Sequence, residues 1–116
     1  MIIALLALAQ AAALPPLVRA RSTQNLASYV HASDWPRAAP ANFRGTTAFT
    51  LTVATNGRVT ECRITQSSGL SAIDAATCRI MYSRARFTPA RDHANQPVAD
   101  TIASRIGWVG PDAPQN

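Results

Sequence analysis

Residues 56–89 read NGRVTECRITQSSGLSAIDAATCRIMYSRARFTP, and this single run holds a turn, a strand, a helix and both cysteines of the chain. Asn56-Gly57 lies between two runs of alternating apolar residues. That arrangement predicts a two-residue hairpin turn, because both central positions need positive φ and Asn and Gly reach it at little cost. The strand after the turn covers residues 58–66, with Cys62 and Ile64 on one face and Glu61, Arg63 and Thr65 on the other. Val59 is out of phase with Cys62, which points to a bulge just past the turn. Ser67-Ser68-Gly69 ends the strand. Ser71 is the expected N-cap of a helix over 72–84, with Asp74 three residues on in a capping-box position. Ile73, Thr77 and Ile80 recur at helical spacing beside Ala76 and Met81, and Cys78 lies at the margin of that stripe. Phe87-Thr88-Pro89 then leaves the helix in extended form.

Outward from this run the period is two. Phe49, Leu51 and Val53 alternate with Ala48, Thr50 and Thr52, giving a strand with one apolar face ahead of the turn. Residues 91–96 form a polar loop. A last strand over 98–109 has Val98, Ile102, Ile106 and Trp108 on one parity and Ala99, Thr101, Ala103 and Arg105 on the other. Residues 110–116, GPDAPQN, are expected to be a flexible tail.

At the other end, residues 1–13 are expected to be a signal peptide. The apolar run is shorter than the ~20 residues a spanning helix needs, contains the A-x-A pattern Ala9-Gln10-Ala11 and stops at Pro15-Pro16. No Lys or Arg precedes it. Residues 14–33 are expected to be a partly ordered arm, with a short helix around Leu26, Tyr29 and Val30. Ser33-Asp34 would cap one turn of helix beginning at Trp35-Pro36 and stopped by Pro40.

The chain of 116 residues has room for one small domain, which gains much from a covalent staple. Export bears on Cys62 and Cys78, because an oxidising compartment favours a disulfide over two free core thiols. Neither a C-x-x-C spacing nor a nearby His accompanies them, so no metal site or redox motif is expected. The net charge of +5 comes from 11 basic residues, all arginine, against 6 acidic ones. They are scattered, and no aromatic interleaving suits base stacking, so nucleic acid is not expected as a partner. Arg84, Arg86 and Arg91 around Phe87 read as helix-end cations beside a core anchor, with an anion cluster as the other reading.

Catalysis has little support. A Ser-His-Asp set would have to use Ser67 or Ser68, His31 or His93, and Asp74 or Asp92, each of which has a turn, cap or surface role, and no G-x-S-x-G occurs. No cofactor is expected.

The ordered set of NGRVTECRI, the SSG ahead of the helix, Ile73-Asp74 with Ala75-Ala76, RARFTPAR, and a final strand ending in Ile106 and Trp108 resembles the C-terminal domain of the TonB family of periplasmic energy transducers. Trp35-Pro36 sits where that family commonly has Tyr-Pro. The resemblance covers residues 34–109. It implies an α+β fold, a three-stranded antiparallel β-β-α-β sheet with one main helix on one face, and gives structural weight to Asn56, Gly57, Ser67, Ser68, Gly69, Asp74, Phe87 and Pro89. It also implies that the last strand is an open edge that takes up an extended peptide, the Ton box of an outer-membrane receptor, by strand addition. The peptide-binding residues would be Ala99, Thr101, Ala103, Arg105, Gly107 and Trp108, with Asp100, Ser104 and Arg105 polarising the edge against promiscuous pairing. A full transducer has a membrane helix coupled to a proton-driven motor and a long proline-rich spacer. Here about thirty residues of arm reach about 100 Å at most. Two further readings stand beside docking: a stand-alone envelope domain whose arginines contact peptidoglycan, and a homodimer through the open edge. The location implied is the periplasm, by export or by an inner-membrane anchor.

Overall fold

The computed structural model describes residues 15–114, so the expected signal peptide lies outside the described residues. The chain runs through β1 (Arg21–Ser22), two single turns of 3-10 helix (Leu26–Tyr29 and Ala32–Asp34), β2 (Arg44–Val53), β3 (Val59–Gln66) and α1 (Ser71–Arg84). It continues through β4 (Phe87–Thr88), β5 (Ala90–Arg91), β6 (Pro97–Val98) and β7 (Asp100–Val109). The main sheet is antiparallel in the order β3-β2-β7. Helix α1 covers one face, which is the α+β architecture that the sequence pattern and the family resemblance imply.

Period two puts Phe49, Leu51 and Val53 of β2 on that face, where all three are fully buried. Ile73, Ala76, Thr77, Ile80 and Met81 of α1 meet them from above. Burying each large apolar side chain contributes roughly 1.5–3 kcal/mol, so this two-layer contact is the main source of stability. Cys62 of β3 and Cys78 of α1 form a disulfide with Cα atoms 5.6 Å apart, tying the two layers at their margin.

The hairpin differs from the two-residue turn expected at Asn56-Gly57. Gly57 N–H donates to Ala54 O at 2.9 Å and Ala54 N–H to Arg58 O at 2.8 Å, so the loop has three residues, Thr55, Asn56 and Gly57. Of these, Gly57 alone has positive φ, at 83°. Asn56 acts instead through its side chain, which accepts from Arg58 N–H. The physical reason is docking: Gly57 O accepts from Phe87 N–H at 3.0 Å, and a Cβ on Gly57 would stand 2.2 Å from Phe87 O. The bulge does lie just past the turn, where the register shifts between Thr52 and Val53.

The helix start also differs. Ser71 is the first helical residue, and Leu70 is the N-cap with no side-chain bond. Asp74 reaches back instead, accepting from Ser68 N–H at 2.9 Å, Thr47 Oγ1 at 3.1 Å and Ser67 Oγ. Gly69, at φ 103°, lets the SSG segment curl over that carboxylate. Burial raises the Asp74 carboxyl's pKa, but the donors from Ser67, Ser68 and Thr47 outweigh it and hold the carboxyl below its ordinary value.

Past the helix, the single strand expected over 98–109 is two. Pro97–Val98 pairs with Ala90–Arg91 in a small hairpin, Ala99 breaks the extension, and β7 begins at Asp100. Asp92 organises that hairpin's turn by accepting from Ala94 and Gln96 N–H.

The arm is folded onto the domain. Ser22 pairs with Phe87, and Ala20, Leu26 and Tyr29 are buried in the core. No helix forms at Trp35-Pro36; residues 36–39 make a turn closed by Ala39 N–H to Pro36 O at 3.0 Å. Asp34 belongs to the preceding 3-10 turn and takes Arg84 in a two-point ion pair at 2.6 and 2.8 Å. Arg84 also donates to Tyr29 O, so this helix-end cation holds the arm. In the segment expected as a tail, residues 110–114 fold back on the start of β2: Gly110 N–H donates to Phe43 O and Asp112 N–H to Ala41 O.

Candidate functional site

Strand β7 has β2 on one side and no strand of the main sheet on the other. Its pairing with β2 runs through ten residues without a register shift, from Arg44 opposite Val109 to Val53 opposite Asp100. In an antiparallel ladder the main-chain groups alternate in direction, so one anchored residue assigns all the others. Thr101 is that anchor. Its N–H donates to Asp100 Oδ1 at 2.8 Å and its C=O accepts from Arg19 Nη2 at 2.7 Å, so both point away from β2. The N–H and C=O groups of Ala103, Arg105, Gly107 and Val109 therefore face the open edge. At the far end Gly110 N–H turns inward to Phe43 O, in keeping with the even set facing β2.

The same parity sorts the side chains. Ile106 and Trp108 are buried on the helix face, whereas Thr101, Ala103, Arg105, Gly107 and Val109 are exposed. Of the six residues predicted for the edge, Thr101, Ala103, Arg105 and Gly107 lie together on the outer rungs, although Thr101 is already engaged. Ala99 precedes the strand. Trp108 is a core residue: its indole Nε1 donates to Thr77 Oγ1 at 2.9 Å, and its ring stacks at a tilt against Trp35 with centroids 6.0 Å apart. Asp100, expected to keep the edge polar, is largely enclosed and committed to Arg19 Nε at 2.7 Å and Ala20 N–H at 2.9 Å. Burial raises its pKa, but Arg19 and the backbone donors prevail and hold it below its ordinary value.

A half-open groove of about 400 Å³ runs beside the C-terminal half of β7. Ile106, Gly107, Trp108 and Val109 form one wall, and Ala27, Val30, His31 and Ala32 of the arm with Trp35 just after it form the other, with Pro111 at the end. The lining is mainly apolar, and Val109 is left 45% exposed at its rim. No periodicity or turn pattern in the sequence marks this wall. Trp35 was the one available signal, since it stands at the family's aromatic-Pro position.

The opposite face of the sheet is polar, with Thr50, Thr52, Glu61, Arg63, Thr65 and Thr101 around a shallow depression. Ser67, Ser68 and Asp74 come together, but as the loop-to-helix brace described above, with no histidine in that hydrogen-bonded set. Arg86 and Arg91 bond to nearby carbonyls of Ala85, Ser83 and Asn95. Among the described residues no cluster of His, Cys, Asp and Glu could hold a metal ion, and no helix is long and apolar enough to cross a membrane.

The model of the family described as Gram-negative bacterial TonB protein C-terminal matches residues 34–109. No curated protein matches the chain.

Proposed function

The chain belongs to the TonB C-terminal family, whose members are periplasmic, non-enzymatic domains of receptor-dependent transport, and from that premise we propose that it docks the Ton-box peptide of an outer-membrane receptor along β7. The observation that carries this reading is the row of outward-facing main-chain groups at Ala103, Arg105, Gly107 and Val109, lying beside an apolar groove. Unpaired backbone groups on an edge supply affinity for an extended chain, and pockets for alternate side chains supply selectivity. Four vacant outer rungs, over residues 103–109, suit a short peptide, and the polar opposite face offers no comparable anchor.

The test is a titration of isotope-labelled protein with a Ton-box peptide. The amides of residues 103–109 are expected to shift at physiological salt. Shifts confined to the polar face around Thr50 and Arg63, and lost on adding salt, would favour contact with an anionic envelope polymer, because exposed charge pairs are screened within about 8–10 Å. Concentration-dependent doubling of mass without peptide would favour the homodimer.

A further inference from the structure

The arm changes what the edge can accept. Arg19 lies 81 residues from Asp100 in sequence, yet its guanidinium spans two groups, with Nε on the Asp100 carboxylate and Nη2 on Thr101 C=O, both at 2.7 Å. Ala20 N–H closes the same carboxylate at 2.9 Å. The clasp fills the first outward rung of β7: Asp100 Oδ1 accepts from Thr101 N–H and Arg19 donates to Thr101 C=O. An incoming strand pairs with backbone groups only where they are vacant, so this rung is closed to it. At the other end, Val30, Ala32 and Trp35 rise beside Ile106 and Gly107 as the far wall of the groove. A strand added there has alternate side chains pointing to the two faces of the sheet. Those on the helix face drop into the apolar groove; those on the other face lie beside the exposed Arg105.

Resting on the docking reading above, we propose that the arm, with Trp35 just after it, is the specificity element of the edge: Arg19 and Asp100 together set a register stop at Thr101, and the Val30–Trp35 wall selects an apolar side chain on alternate positions of a short extended peptide, with acidic or polar residues between them facing Arg105. The occupant is a single peptide strand rather than a second copy of the domain, because a second copy would bring its own arm wall into the same gap.

The experiment measures affinity and amide hydrogen exchange with a synthetic ten-residue Ton-box peptide. On the unaltered protein, peptide slows exchange at Ala103, Arg105, Gly107 and Val109 at least tenfold and leaves Thr101 unchanged. In the double change Arg19→Ala with Asp100→Ala, which frees both the C=O and the N–H of Thr101, the slowed set extends to Thr101, a change of footprint that a loss of stability does not produce. On the peptide side, replacing a groove-facing apolar residue by aspartate lowers affinity at least tenfold, whereas the same replacement at the neighbouring position leaves it within threefold. Slowing of Thr101 in the unaltered protein, or equal losses at both peptide positions, would overturn the proposal while leaving docking intact. Slowing at none of the four rungs while other amides respond would overturn the docking reading itself.

Discussion

The indole Nε1 of Trp108 donates to Oγ1 of Thr77 at 2.9 Å, both residues being buried, and Thr77 Oγ1 in turn donates to Ile73 O at 2.8 Å. The bond ties the end of β7 to the middle of α1, so the outer strand has its position fixed from the helix as well as from β2. Thr77→Val keeps the shape but leaves the buried indole N–H without an acceptor, which costs roughly 1–3 kcal/mol. Thr77→Ser retains the hydroxyl and should lose less. Urea unfolding of the two variants separates the effects.

Cys62 and Cys78 are 16 residues apart, and their disulfide joins β3 to α1. For a loop of that size the chain-entropy model gives about 3 kcal/mol. Reduction, or the double change Cys62→Ala with Cys78→Ala, should lower the unfolding midpoint accordingly. Equal midpoints for oxidised and reduced protein would refute the staple.

Gly57 has both a left-handed backbone and Phe87 O against the position of its missing side chain. Gly57→Ala must strain φ and displace the helix exit, so it should destabilise by more than ~1 kcal/mol. A loop tolerant of Ala, by thermal melting, would mean that the turn is not docked on Phe87.

The acid limb of stability follows from Asp34. Its hydrogen bond with Arg84, first among several causes, holds the carboxyl down to about 2 from an ordinary 3.8. A depressed carboxyl pKa contributes stability that is complete above about 3.8 and is lost as pH falls through about 2. Asp74 and Asp100 are shifted in the same direction and add to the same limb. Denaturant midpoints should therefore fall as pH drops from about 4 towards 2. In Asp34→Asn the midpoint should be lower at pH 7 and the acid-side decline shallower.

The parts of the fold legible in sequence are those set by local period and by turn chemistry. Phe49, Leu51 and Val53 alternate cleanly, Ile73, Ala76, Thr77 and Ile80 keep helical spacing, and Val59 betrays its bulge by falling out of phase. What was not legible depends on partners far along the chain. Asn56-Gly57 announces a hairpin, but the loop is three residues long because Phe87, thirty residues on, holds Gly57 in place. Ser71 has the chemistry of a cap, yet Asp74 finds Thr47 and the SSG segment instead. Trp108 shares the parity of Ile106 and so is core, while strand addition depends on the main chain of the intervening residues. The Arg19–Asp100 clasp and the Val30–Trp35 wall join opposite ends of the sequence, and apart from Trp35 at the Trp-Pro position no local pattern marks them.

If backbone groups at the outer edge of β7 bind an extended peptide, backbone N-methylation of the Ton-box peptide must weaken docking at every second position. N-methyl groups on the alternate residues whose N–H groups face Ala103, Arg105 and Gly107 remove the bonds without altering any side chain. That set should lose at least tenfold in affinity, whereas N-methylation at the intervening residues should be tolerated. Equal affinity for both methylated sets and the unmodified peptide would contradict it.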